Sequence, residues 1–149
     1  MMDESNESPA YFLHKLMLEM DRAADTLLRT QMGISYNRAL FLVVLQYRGT
    51  ITQHELAVAL GYSDPAVSMM LLELVREGYI TITPSPEHKR KRLVSLTPKG
   101  SEIVVKGRQL LDSHFDRLMQ AAGVDSQHYS ELTRQLYQTL VARTKKEQV

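Results

Sequence analysis

The sequence predicts a mainly α-helical fold with one small antiparallel β-hairpin. Apolar residues recur at three- and four-residue spacing along most of the chain, and only residues 79–96 change to short β-branched runs. The composition is that of a globular protein, because 44% of the 149 residues are hydrophobic and 23% are charged. The chain contains no cysteine, which excludes a disulfide framework and a thiolate zinc site.

No segment of the sequence is typical of membrane insertion or export. The longest uninterrupted apolar run has seven residues, Ala39 to Leu45, whereas a transmembrane helix needs about 20. Residues 1–10 are acidic and polar, and they lack the basic start and apolar centre of a secretory signal. We therefore expect a cytoplasmic protein with no membrane partner.

Two helices are predicted in the first third of the chain. From Tyr11 onward apolar residues recur at helical spacing, and Gly33 is the kind of residue that ends a helix. Ser35 is a favourable N-cap for the second helix, and Gly49 closes it. Because the apolar run 39–45 lies in this second helix, we expect it to be buried on nearly all sides.

The next part of the chain predicts two helices joined by a tight turn. Thr52 and Glu55 have the spacing of a capping box, in which each side chain accepts a hydrogen bond from the backbone N–H of the other residue. Gly61 ends this short helix, and Ser63 caps the following one, which has Pro65 in its first turn. A short helix, a glycine-containing turn and a second helix form a helix-turn-helix.

A β-hairpin is predicted after this motif. Residues 79–83 and 93–96 are rich in β-branched and apolar residues, and the loop between them is basic. Two strands after a helix-turn-helix form a wing, so the fold class is a winged helix-turn-helix, mainly α with a small antiparallel β wing. Pro98 begins a long helix that Gly123 ends, and Ser126 is predicted to cap the last helix.

The chain is longer than a winged helix needs, because long amphipathic helices stand at both termini. We predict one domain over residues 1–149, with a winged-helix core at 35–97 and terminal helices at 10–33 and 98–147. Such helices extend beyond a small module, since 20 helical residues span about 30 Å. They either pack within one chain or, as we expect, interleave with those of a second copy as dimerisation helices of a homodimer.

Basic residues are concentrated in and after the wing. Residues 85–108 carry seven Lys and Arg against two Asp and Glu, and four of the cations are consecutive: Lys89, Arg90, Lys91 and Arg92. A winged helix-turn-helix places its second helix in the major groove of duplex DNA and its wing in an adjacent minor groove. We therefore expect double-stranded DNA as the partner, with the wing supplying much of the electrostatic affinity.

The helical period predicts which side chains of the second motif helix reach the groove. The predicted buried stripe is Val67, Met70, Leu71, Leu74 and Val75. The predicted outward residues, all slender enough for a major groove, are Asp64, Ala66, Ser68 and Met69. Thr52 and Gln53, at the start of the preceding helix, are predicted to donate hydrogen bonds to the DNA backbone.

The charge of residues 51–84 runs against DNA binding, because this segment has one basic and four acidic side chains. Asp64 either accepts a hydrogen bond from a cytosine amino group or only complements the helix dipole. The acidic segment also leaves open a second interpretation, a winged helix that binds a protein and no longer binds DNA specifically. Salt-dependent binding to random duplex DNA discriminates between the two.

Four segments share the sequence and order of a known family. They are TQHELA (52–57), LGYSDPAVS (60–68), LVREGYI (74–80) and RLVSLTPKG (92–100). Together they resemble the multiple antibiotic resistance regulator (MarR) family of bacterial winged-helix repressors and activators. The resemblance extends over roughly residues 10–145, which is nearly the whole chain.

The resemblance implies a homodimeric transcriptional regulator, repressor or activator, that binds pseudo-palindromic operator DNA. It implies that Arg90, at the wing tip, enters the minor groove. The residues that it implies for the major groove are Ser63, Pro65, Ala66, Ser68 and Met69. The family usually has an acid two positions before the wing arginine, and here His88 stands in that place, where a neutral imidazole accepts a hydrogen bond from Arg90. The family also often has a basic residue where Asp64 and Met69 stand.

The resemblance further implies a small aromatic or anionic effector that releases the DNA. Tyr36 and Arg38 are the candidate ligand-binding residues, because a tyrosine beside a cation suits an aromatic carboxylate; alternatively, such tyrosines belong to the core or an interface. The sequence contains no glycine-rich phosphate loop, nucleophile elbow or H-E-x-x-H motif. No enzymatic activity, cofactor or metal is therefore expected.

Overall fold

The structure, a computed structural model, describes residues 8–147, and the chain divides into two compact units between Gln109 and Leu110. The elements are α1 (Pro9–Met32), α2 (Tyr36–Arg48), β1 (Ile51–Thr52), α3 (Gln53–Leu60), α4 (Asp64–Arg76), β2 (Ile80–Pro84), β3 (Arg92–Leu96), α5 (Pro98–Ala122) and α6 (Ser126–Glu147). The predicted mainly α fold with an antiparallel β wing is confirmed. Within the described residues, no single helix has the length and hydropathy to cross a membrane, and α3 and α4 reach both only together, as a pair bent by 110°.

The predicted caps explain where the first helices begin and end. Ser35 accepts a hydrogen bond from the backbone N–H of Arg38, and Thr52 and Glu55 form the complete capping box. Gly33 follows α1 in the left-handed conformation, with φ 68°, which a residue with a Cβ adopts only at a cost. Each cap bond joins residues three apart, and the local sequence is therefore enough to predict it.

The wing belongs to a three-stranded antiparallel sheet in the order β1-β3-β2. Ile80 pairs with Leu96 at the base of the hairpin, and both wing strands begin one residue away from their predicted starts. β1 pairs with the other edge of β3, where Thr52 lies opposite Leu93. The sequence did not predict β1, because two residues show no periodicity and their pairing partner is distant in the chain.

Apolar side chains of α1–α4 and of the sheet form the core of the first unit. The apolar side chains that are at most 2% exposed are Leu28, Ile34, Phe41, Leu42, Leu45, Leu56, Ala57, Val67, Leu71, Leu74, Ile80 and Val94. Phe41 stacks on Tyr62 with the ring centroids 5.7 Å apart, which packs α2 against the turn between α3 and α4. In α2, Phe41, Leu42 and Leu45 are buried and residues 39–40 and 43–44 are half-buried, so the run 39–45 is less completely buried than predicted.

The buried stripe of α4 is narrower than the sequence predicts. Its three buried residues are Val67, Leu71 and Leu74. Met70 is half-buried, and Val75 is 41% exposed, so its predicted burial was wrong. The apolar pattern identifies the side of the helix that faces the core, but it does not show how far the neighbouring elements extend around the helix.

The second unit contains the end of α5 and the helix α6. Asp125 Oδ1 accepts a hydrogen bond from the backbone N–H of His128 at 2.6 Å, so Asp125 caps α6. The prediction that Ser126 caps this helix was wrong by one residue. Ser126 is the first helical residue, and its hydroxyl donates to Asp116 Oδ1 at 3.3 Å.

The start of α5 lies against the backbone that follows α4, with no room for a side chain. A Cβ at Gly100 would lie 2.1 Å from the carbonyl oxygen of Tyr79. The Thr97 hydroxyl donates to the carbonyl of Gly78 at 2.7 Å and accepts from the N–H of Gly100 at 3.1 Å. Backbone contacts therefore join α5 directly to the end of the α4 segment.

Gly100→Ala is expected to lower the free energy of unfolding by about 1–3 kcal/mol, because the backbone must move to admit a methyl group. Gly107→Ala is the matched control on the same helix. Its Cβ meets Leu28 at 3.5 Å, an ordinary contact, and alanine in a helix is favoured over glycine by about 0.5–1 kcal/mol. Urea unfolding followed by circular dichroism measures both variants. A Gly100→Ala protein as stable as the wild type would contradict the close contact.

Candidate nucleic-acid interface

The starts of α3 and α4 and the end of the wing loop line one cleft of about 440 Å³. Its lining residues are Thr52, Gln53, His54, Glu55, Asp64, Arg90, Lys91 and Arg92. All of them except His54 and Glu55 are among the predicted DNA-binding residues, which the fold brings together from three separate parts of the sequence. His54 and Glu55 were missed, although their position in the same capped first turn as Thr52 and Gln53 was a signal that could have found them.

Thr52 and Glu55 form one wall of the cleft. The Glu55 carboxylate accepts hydrogen bonds from the backbone N–H and the hydroxyl of Thr52, both at 2.7 Å. The backbone hydrogen bond, followed by the hydroxyl, lowers the pKa of Glu55, and the nearby charges of Lys91 and Arg48 lower it further. Glu55 therefore stays ionised, and the Thr52 hydroxyl donates a hydrogen bond to its carboxylate.

Asp64, the first residue of α4, lies beside a histidine. Its Oδ1 is 3.3 Å from Nδ1 of His54, and the two side chains are 59% and 73% exposed. A protonated imidazole would form an ion pair with the Asp64 carboxylate at this distance, and a neutral imidazole would donate a hydrogen bond from Nδ1. This contact joins two helices, and it could therefore not be predicted from local sequence patterns.

The side of α4 that was predicted to face the groove is exposed, with one exception. Its exposed residues are Asp64, Pro65, Ala66 and Met69. Ser63 caps the helix by accepting a hydrogen bond from the backbone N–H of Ala66 at 3.4 Å. Ser68 is half-buried, and its hydroxyl accepts a hydrogen bond from Nε2 of Gln53 at 2.5 Å.

Hydrogen bonds fold the wing loop into a compact turn. The N–H of Ser85 donates to the carbonyl of Lys91, and the N–H of Lys91 donates to the carbonyl of His88, both at 2.8 Å. Ser85 is buried, and its hydroxyl accepts from the N–H of His88 at 3.4 Å. The side chains of residues 88–92 are exposed, and in the described part of the chain no carboxylate lies within ion-pairing distance of the four wing cations.

The two candidate effector residues, Tyr36 and Arg38, do not line the cleft. Arg38 Nη1 donates to Glu77 at 2.8 Å, and Nη2 donates to Glu73, so the guanidinium joins α2 to α4. The hydrogen bond to Glu73 raises the pKa of Arg38, and burial raises the pKa of the Tyr36 hydroxyl, with a further contribution from Asp21. Within residues 8–147, no group of three His, Asp or Glu side chains is arranged to hold a metal ion.

The helix-turn-helix, the paired wing and the shared cleft define a winged helix-turn-helix protein. Residues 32–91 match the model of the MarR family, which confirms the resemblance seen in the sequence. No curated protein sequence matches the chain.

Solved structures of transcriptional regulators share the fold over most of the chain. A mutant MarR from E. coli complexed with operator DNA is 24% identical, with a TM-score of 0.73 over 88% of this chain and 92% of that chain. The S. aureus MepR–DNA complex is 24% identical, with a TM-score of 0.72 over 92% and 99%. The regulator BldR from Sulfolobus solfataricus is 17% identical, with a TM-score of 0.76 over 89% and 92%. At these identities the likeness establishes the fold.

Proposed function

We propose that this chain is a DNA-binding transcriptional regulator that holds duplex DNA against the cleft, with α4 in the major groove and the wing in the adjacent minor groove. The observation that carries the proposal is the cleft itself, in which the starts of α3 and α4 and the wing cations share one surface. This arrangement suits the docking geometry of a winged helix-turn-helix. The MarR and MepR complexes with DNA support DNA binding by this fold.

The parts of this surface have separate roles in the proposal. The wing cations at 89–92 neutralise phosphates, and Arg90 enters the minor groove with His88 beside it. Residues 63–69 of α4 and its cap read base edges in the major groove. Gln53, whose amide has a second N–H, donates to the DNA backbone, while Thr52, whose N–H and hydroxyl both donate to Glu55, holds the start of α3 in place.

A homodimer is proposed because both terminal regions expose apolar side chains. On α1 the large apolar residues that are at least 36% exposed are Tyr11, Phe12, Leu13, Leu16, Met17 and Leu18. On α6 they are Leu132, Leu136, Tyr137 and Leu140. Exposed apolar surface of this extent is unusual for a monomer, and a second copy of the chain would bury it. Two copies would present two α4 helices to a pseudo-palindromic operator, with half-sites about 34–36 Å apart.

The effector response is proposed to act through Arg38. Its guanidinium joins α2 to Glu73 on α4, the helix proposed to read DNA, and to Glu77, the residue that follows this helix. An aromatic or phenolic anion that pairs with Arg38, with its ring beside Tyr36, would compete with these carboxylates and loosen the link between α2 and α4. The ligand would then favour a state with lower DNA affinity.

Arg90→Ala is expected to weaken binding to random duplex DNA and to reduce its salt dependence. The slope of log affinity against log salt is about −0.9 for each neutralised phosphate, and losing one contact should reduce it by about one per protomer. Fluorescence anisotropy at several salt concentrations measures the slope. Lys106→Ala is the control, because Lys106 lies on α5 and pairs with Glu102 at 2.5 Å. Absent or salt-independent binding by the wild type would favour the protein-binding interpretation, which the acidic segment 51–84 keeps as the alternative.

The wild-type chain is expected to sediment at twice its mass of 17.0 kDa at micromolar concentration. Leu136→Glu should shift it toward the monomer, because Leu136 is 70% exposed in the single chain and would be desolvated in the dimer. Gln138→Glu adds the same charge at an exposed residue of the same helix and should leave the dimer intact. Analytical ultracentrifugation measures all three, and a wild-type monomer would refute the homodimer.

Salicylate, as a probe for a phenolic anion, is expected to lower the DNA affinity of the wild type at millimolar concentration. Arg38→Met should weaken DNA binding by itself and remove any further effect of salicylate, because both changes break the same link to α4. Arg29→Met is the control, since Arg29 pairs with Asp25 within α1. Anisotropy titrations with and without salicylate measure the response. A full response in Arg38→Met would show that the effector acts elsewhere.

A further inference from the structure

Gln53 and Ser68 form a hydrogen bond between the two helices of the motif. Gln53 is the first residue of α3, and Ser68 is the fifth residue of α4. Both side chains are half-buried, and the amide Nε2 donates to the serine oxygen. Each helix is fixed at its start by its own cap, Thr52 for α3 and Ser63 for α4. The pair is therefore held in one geometry before any ligand binds.

The proton of the Ser68 hydroxyl has no acceptor within residues 8–147. Serine and threonine side chains in helices commonly donate to the carbonyl oxygen four residues earlier. Thr26, Thr30 and Ser130 of this chain do so, to the carbonyls of Arg22, Thr26 and Ser126 respectively. Ser68 forms no such bond; the only hydrogen bond of its side chain in the described residues is the one that it accepts from Gln53.

We infer that Gln53 is a positioning residue that makes Ser68 a hydrogen-bond donor to a base edge in the major groove. A hydroxyl has one proton and two acceptor positions, and the Gln53 amide occupies one of those acceptor positions. Ser68 lies on α4 between the exposed residues Asp64 and Met69, on the side that faces the DNA in the proposed function, and the inference rests on that proposal.

A donor at this position prefers some bases to others. In the major groove guanine presents only acceptors, N7 and O6, and thymine presents the acceptor O4, whereas cytosine presents only the donor N4. We therefore expect guanine or thymine at the contacted position and discrimination against cytosine there. One hydrogen bond of ordinary strength corresponds to about a five- to tenfold preference.

The test is to reverse the direction of the hydrogen bond. In Gln53→Glu the ionised carboxylate only accepts, so Ser68 must donate its proton to residue 53 and turn a lone pair toward the groove. The preference at the same operator position should then change to cytosine or adenine, which present amino donors. Gln53→Met should abolish the preference, because the hydroxyl rotates freely, and Ser68→Ala should abolish it as well.

The experiment selects binding sites from a random duplex library with the wild type and the three variants, in low salt. Val58→Glu controls for the added negative charge, because Val58 is 67% exposed on the same helix and does not line the cleft, so the variant should keep the wild-type preference. Thermal unfolding of each variant excludes loss of the fold. A 7-deazaguanine at the selected position, which removes N7, should lower the wild-type affinity if guanine N7 is the acceptor.

The outcomes separate the inference from the proposed function. A reversed preference in Gln53→Glu, together with its loss in Ser68→Ala, supports the inference, because a merely structural role for Gln53 does not invert base choice. If Gln53→Glu and Gln53→Met select the same base as the wild type, the inference is wrong and DNA binding stands. If the wild type selects no DNA even in low salt, the proposed function fails and the inference fails with it.

Discussion

Thr52 belongs to two elements at once, and the geometry of the cleft depends on this. Its backbone pairs with Leu93 in the β-ladder, and its hydroxyl and N–H form the capping box of α3 with Glu55. The pairing with Leu93 holds the wing strand β3 beside the start of α3. The capping box fixes the direction in which α3 leaves the sheet. Because α4 packs on α3, the position of the wing relative to α4 follows from these two sets of hydrogen bonds.

The acidic charge of residues 51–84 is used largely within the protein. Glu55 accepts two hydrogen bonds from Thr52, while Glu73 and Glu77 share the guanidinium of Arg38. Asp64 lies beside His54. Arg38, which lies outside this segment, offsets one of these negative charges, whereas Glu55 keeps its charge in the cleft, close enough to Lys91 for the two charges to interact. Formal charge counted along a sequence misses this difference, because it depends on which groups the fold brings together.

Local signals predicted the fold well, and contacts between elements were harder to predict. Helix caps and glycine stops act over three or four residues, so most helix boundaries follow from the sequence. β1 was missed because it exists only through pairing with β3, and the cap of α6 was misassigned because Asp125 and Ser126 are both good caps in adjacent positions. The predicted site residues came from helical periodicity and the basic run, but the contact of Asp64 with His54 and that of Gln53 with Ser68 depend on how α3 and α4 pack.

The contact at Gly100 has a mechanical consequence. The first turn of α5 and the backbone around Tyr79 touch without an intervening side chain, and Thr97 bonds to both segments. Because backbone touches backbone at this contact, no side chain can adjust to a movement. A shift of the first turn of α5 must therefore also move the main chain of Tyr79 and the start of β2. The first turn of α5 and the start of the wing strand β2 therefore form one rigid connection within the first unit.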